Sequence, residues 1–152
     1  MELSEFFGTI LQSVVESHQL HLSTAKYHEH KVLNDFYEEM QHLADELIEH
    51  YQGQFGKLDR YVCDITCEGK DAATYLNELL EFVKQGYEME PFTTDDALKS
   101  DLDGIVGLIT SSLYQINELK ESGEVMVSIR DYIVEKFRTQ MHEEQIKNKK
   151  QE

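Results

Sequence analysis

Tyr27-His28-Glu29-His30-Lys31-Val32-Leu33-Asn34-Asp35-Phe36-Tyr37-Glu38-Glu39-Met40-Gln41-His42-Leu43-Ala44-Asp45-Glu46-Leu47-Ile48-Glu49-His50-Tyr51 is the segment that decides the fold. Leu33, Phe36, Met40, Leu43, Leu47 and Tyr51 recur at intervals of three and four. An apolar stripe with that period, on an otherwise charged segment, predicts one long amphipathic helix with a single buried face. At 100° per residue, Glu38, His42, Asp45 and Glu49 fall roughly opposite the stripe, facing water or another subunit.

The segments on either side carry the same period. A first helix is expected over residues 4–22, with Ser4 as its N-cap and Phe7, Ile10, Leu11, Val14 and Val15 inward. A short link near 23–26 joins it to the second helix. Gln52-Gly53-Gln54-Phe55-Gly56 ends or bends that helix. A connection of about 18 residues follows, with a short helix expected over 58–64. A third helix is expected over 72–88, broken by Met89-Glu90-Pro91-Phe92. Thr93, Thr94 and Asp95 offer N-caps to a fourth over 95–119, with Leu98, Leu102, Ile105, Ile109, Leu113 and Ile116 inward. Ser122-Gly123 reads as a turn, and a fifth helix starts near 124. Two tightly joined helices, a long crossover and two more joined by a proline turn make an all-α, ferritin-like four-helix bundle with an additional C-terminal helix. One domain covers 1–146, and a polar tail covers 147–152.

Composition narrows the function. The 14 Lys and Arg face 30 Asp and Glu, a formal charge of −16. Such a surface repels phosphate, so nucleic acid is not an expected partner and metal cations or basic partners are. No stretch is long and apolar enough for a membrane span, and the acidic N-terminus lacks the basic region of a signal peptide. The two cysteines, Cys63 and Cys67, make neither a disulfide framework nor a four-ligand zinc site, and reduced thiols in a cytoplasmic protein are expected.

Six of the seven histidines lie between positions 18 and 50, among carboxylates. Imidazole and carboxylate together suit iron, zinc or manganese. The candidate ligands are His18, His21, His30, Glu38, His42, Asp45 and Glu49. Asp45 and Glu49 are four apart and share a helical face. His30 precedes Asp45 by fifteen residues, ~22 Å along a helix axis. The two can meet at one ion only if a second copy runs antiparallel across a two-fold axis. An intrachain di-iron site needs two inward Glu-x-x-His motifs, and the chain has one, Glu39-Met40-Gln41-His42.

The run from His21 to Glu39, continuing through Ala44-Asp45-Glu46-Leu47-Ile48-Glu49, resembles the Dps branch of the ferritin-like superfamily. It is also similar to small ferritin-like proteins of tailed phages with a His-rich hairpin ending in Tyr-Gln-Gly, here Tyr51-Gln52-Gly53. In the Dps branch a His ends the first helix and a second His opens the next. An Asp lies fifteen residues beyond that second His and a Glu four further on, intervals that His30, Asp45 and Glu49 reproduce. The Trp that usually follows the first His is Leu22 here, and the acid usual four residues after the second His is Asn34. His18 keeps the usual interval of twelve, whereas His21 keeps the local context. The resemblance implies a homo-oligomer, a dodecameric cage, with di-iron ferroxidase sites between two-fold-related subunits. There His21 and His30 of one chain would meet Asp45 and Glu49 of another and oxidise Fe(II) with peroxide or oxygen. The alternatives are a non-catalytic helical oligomer serving as an assembly or adaptor protein, and a structural zinc site.

Overall fold

A computed structural model describes residues 1–119 and 129–149, and among these it is all-helical with no strand. The elements are α1 (Leu3–Ser23), α2 (Tyr27–Phe55), α3 (Ala72–Lys84) with a 3-10 turn over Gln85–Glu88, α4 (Asp96–Glu118) and α5 (Ile129–Lys149). No helix among the described residues is long and apolar enough to cross a membrane.

The α2 stripe is where the period puts it. Leu33, Phe36, Met40 and Leu47 are fully buried, and Leu43 and Tyr51 pack partly buried against them. The helix ends within the segment 52–56 expected to end or bend it, running on through Gly53 to Phe55. It stops at Gly56, whose φ of +90° leaves the helical region at a position that tolerates it. All six expected positions of α4 are buried. Asp95 caps that helix by accepting from the Leu98 amide at 2.9 Å, and Asp71 caps α3 by accepting from the Thr74 amide at 2.8 Å.

In α1 the expectation needs correcting. Glu2, not Ser4, holds the N-cap position, and the Ser4 hydroxyl bonds the Glu2 carboxylate instead. Val15 is 48% exposed, while Phe6 is buried. Thr9, Ser13, Glu16 and Ser17 are buried as well, so α1 is covered on a polar face too. Over Gly8 and Glu16 the cover is the crossover. Residues 57–70 form no helix, contrary to the short one expected over 58–64, because their backbone is committed to α1. The Val62 amide donates to the Ser4 carbonyl at 3.0 Å. The chain then passes so close over Gly8 that a Cβ there would collide with the Val62 carbonyl. Farther along α1, the Cys67 amide donates to the Glu16 carboxylate at 2.7 Å. Ser4 and Glu16 are twelve residues apart, so the strap climbs ~18 Å of α1 before α3 begins.

α1 packs on α2 and α3, and α4 packs on the same two helices. The connections make neighbouring helices antiparallel. One end of the core is aromatic, with Phe92 set 5.4 Å from Phe6 and 6.2 Å from Phe7. The expected α-helix to residue 88 tightens to 3-10 geometry after Lys84, where the Gly86 backbone lies against the Phe6 ring. The expected turn at Ser122-Gly123 and the start of the fifth helix near 124 lie outside the described residues. α5 runs to Lys149, into the segment expected to be a tail, whose last three residues also lie outside.

Candidate metal centre

The α1–α2 hairpin gathers the imidazoles. Its link is the three residues 24–26, held by a side chain the sequence reading missed. Glu29 is buried and accepts from the Thr24 hydroxyl at 2.8 Å and from the Lys26 ammonium at 3.3 Å. This clasp brings the last turn of α1 against the first turn of α2. An acid in a first helical turn, with Thr three to five residues before it, was the available signal.

His21 and His30 meet across the hairpin. His21 Nδ1 lies 2.6 Å from the His30 carbonyl, and His30 Nδ1 lies 2.8 Å from the His21 carbonyl. A carbonyl only accepts, so each Nδ1 carries a proton and donates. In the neutral ring this leaves the lone pair on Nε2. No hydrogen bond within the described residues engages either Nε2. The rings stack with centroids 3.7 Å apart and 20° between planes, and His21 is buried.

The other histidines take separate places. His18 is exposed and stacks on Tyr37 at 4.3 Å, with its centroid 5.9 Å from that of His21. Tyr37 presents an edge to His21 at 5.4 Å and donates its hydroxyl to Asn34 Oδ1 at 2.9 Å. The structure therefore pairs His30 with His21 and sets His18 beside them on the tyrosine. His28 turns toward α4, its Nε2 lying 3.3 Å from the Ile116 carbonyl. His50 lies at the far end of α2 and donates from Nδ1 to Asp101 at 2.7 Å.

Glu38, His42, Asp45 and Glu49 are exposed on α2, away from the buried stripe. The fold does not bring Asp45 or Glu49 to the histidine pair within one chain. Among the described residues no three His, Cys, Asp or Glu side chains gather closely enough to hold an ion. One chain thus offers a pair of imidazoles and no complete donor set among the described residues. It holds two imidazoles whose Nδ1 protons are tied to backbone carbonyls, the outer arrangement typical of metal-binding histidines. The hard carboxylates that iron prefers would have to come from elsewhere.

The crossover thiols are free. Burial pushes both up, Cys67 to about 11 with the Glu16 carboxylate adding to the effect. Neither is a ready thiolate at neutral pH.

No curated protein and no solved structure matches the chain. A family described only as a family of unknown function, DUF5856, matches residues 21–116, from the buried histidine through the last core position of α4. The match includes the whole of α2, the crossover, α3 and nearly all of α4, and on that span the chain belongs to this family.

Proposed function

We propose that this chain is a Dps-like, iron-handling protein of the cytoplasm. Its helices would be wired as a ferritin-like four-helix bundle, and its copies would assemble across two-fold axes into a closed homo-oligomer. In this reading Fe(II) is the substrate. His21 and His30 of one copy bind it through Nε2, and Asp45 and Glu49 of the two-fold-related copy complete the site. Imidazole holds Fe(II), while the carboxylates favour the Fe(III) product. Each pair of ions gives two electrons to peroxide, which takes up two protons and leaves as water. The acidic surface draws in the cations.

The observation that carries this reading is the reciprocal Nδ1-to-carbonyl anchoring of His21 and His30. It fixes both rings and both tautomers before any ion arrives, as preorganised ligands require. The course of the crossover along α1 supports the ferritin-like wiring. His18 lies close enough to serve as an outer group, and Glu38 and His42 share the exposed side of α2 with the two acids.

A second reading has its own observation. The same reciprocal bonds close the hairpin, so the pair also serves as a purely structural clasp in a non-catalytic oligomer. Fe(II) oxidation by the full chain separates the two. The first reading expects turnover that is lost in His30→Ala and in Asp45→Ala while both variants stay folded. Wild-type protein that binds no Fe(II), or variants that turn over at the wild-type rate, would leave the clasp. Tight zinc binding without turnover would point to a structural zinc site.

A further inference from the structure

α1 to α4 bury their apolar stripes, and α5 does not. Ile133, Val134, Phe137 and Met141 are 50%, 44%, 63% and 58% exposed. At 100° per residue these four fall within an arc of about 100°, a continuous apolar face ended by Glu144. A face of this kind on a water-soluble helix marks a contact surface.

Charge indicates what covers it. Arg138 and Lys147 fall within about 40° of the two edges of the stripe, while Glu135 lies on the opposite side. The flanks are therefore basic and the back is acidic. Residues 1–119 hold 23 of the 30 acidic residues and seven of the 14 basic ones, so the whole formal charge of −16 resides there. The remaining residues balance at seven of each sign. An apolar stripe with basic flanks and a strongly acidic bundle on the same chain are complementary surfaces. We infer that α5 is an exchange arm that docks on the acidic α1–α4 bundle of a second copy of this chain. The inference is independent of the iron reading, because the arm joins copies whether or not they bind metal.

Sedimentation of the full-length chain at micromolar concentration tests it. The wild type should run as a multiple of 17.7 kDa. Phe137→Asp should reduce that mass at least twofold while keeping its helical circular dichroism. Should Phe137→Asp lose helix, the double variant Arg138→Glu/Lys147→Glu leaves the stripe intact and should reduce the mass in the same way. High salt should weaken the wild-type assembly too. A wild-type monomer overturns the inference. If its α5 amides are protected from hydrogen exchange, the arm lies on its own bundle. If they are unprotected, the face belongs to a different partner. An oligomer whose mass neither variant changes overturns it as well.

Discussion

Removing the Glu16 carboxylate should loosen the crossover that wires the bundle. Glu16 is a buried carboxylate on α1 that accepts from the Cys67 amide at 2.7 Å, from Gln12 at 3.1 Å and from Thr66 at 3.4 Å. The first is a short, charge-assisted bond to backbone, worth ~1.5–3 kcal/mol, and the longer two add little. Glu16→Ala loses that bond and leaves the Cys67 amide without its acceptor. The higher helix propensity of Ala returns only a few tenths of a kcal/mol. A net cost of ~2 kcal/mol lowers the melting temperature of a chain this long by about 4–8 °C. Glu16→Gln keeps a neutral acceptor and should cost about half as much.

The pH dependence has a definite sign. Burial pushes the Glu16 carboxyl up, but the hydrogen bonds from Cys67, Gln12 and Thr66 together outweigh it, so the group lies below its ordinary value of 4.5. A depressed carboxyl stabilises the fold above the unfolded-state value, and the stabilisation fades as pH falls through the lowered one. The gap between wild type and Glu16→Gln, followed by thermal circular dichroism, should therefore be full at pH 7 and should close on acidification. A Glu16→Ala protein as stable as wild type would refute the strap assignment. A gap of equal size at both ends of the pH range would refute the role of the charge.

Two further outcomes follow from the same geometry. Gly8→Ala places a methyl group against the Val62 carbonyl, a backbone atom that moves only if the strap lifts. The cost should be ~1–3 kcal/mol in urea denaturation, whereas Gly107→Ala in α4, where a Cβ meets nothing within 4 Å, should be neutral or stabilising. At the far end of α2, the hydrogen bond and then the charge of Asp101 hold His50 above its ordinary value of 6.5. That contribution is present below 6.5 and disappears as pH rises through the raised value. Asp101→Asn should bring the His50 titration, read by imidazole NMR, back down toward the ordinary value, and an unmoved midpoint would exclude the pairing.

What could be read from sequence was what repeats locally. The stripes of α2 and α4 are set by side chains three and four apart, and every position named in α4 is buried. The cap at Asp95 is one of the three offered by Thr93, Thr94 and Asp95, and the Asp71 cap, which the sequence reading missed, carries the same signal of a short polar side chain ahead of an apolar run. The crossover could not be read in this way. Val62 and Cys67 spend their amides on Ser4 and Glu16, partners 58 and 51 residues away, and no local period encodes such a pairing. For the same reason nothing local marks Glu16 as the buried acid that the strap covers.

At the candidate site the residue types and spacing pointed to His21 and His30. Their mutual carbonyl bonds depend on the geometry of a three-residue link and on Glu29, whose buried role only the folded hairpin reveals. The exposure of Asp45 and Glu49 followed from the helical wheel. Whether a second copy meets them lies beyond what one chain's periodicity can encode.

The central claim is that each site is shared between two copies, and mixing two inactive variants tests it most directly. His30→Ala retains Asp45 and Glu49, and Asp45→Ala retains His21 and His30. In a mixed two-fold pair one site regains all four ligands and the other lacks both His30 and Asp45. Random co-assembly should therefore restore about a quarter of wild-type Fe(II) oxidation, although each variant alone has none. Mixed protein as inactive as its parents, from an assembly shown to contain both chains, would contradict the shared site.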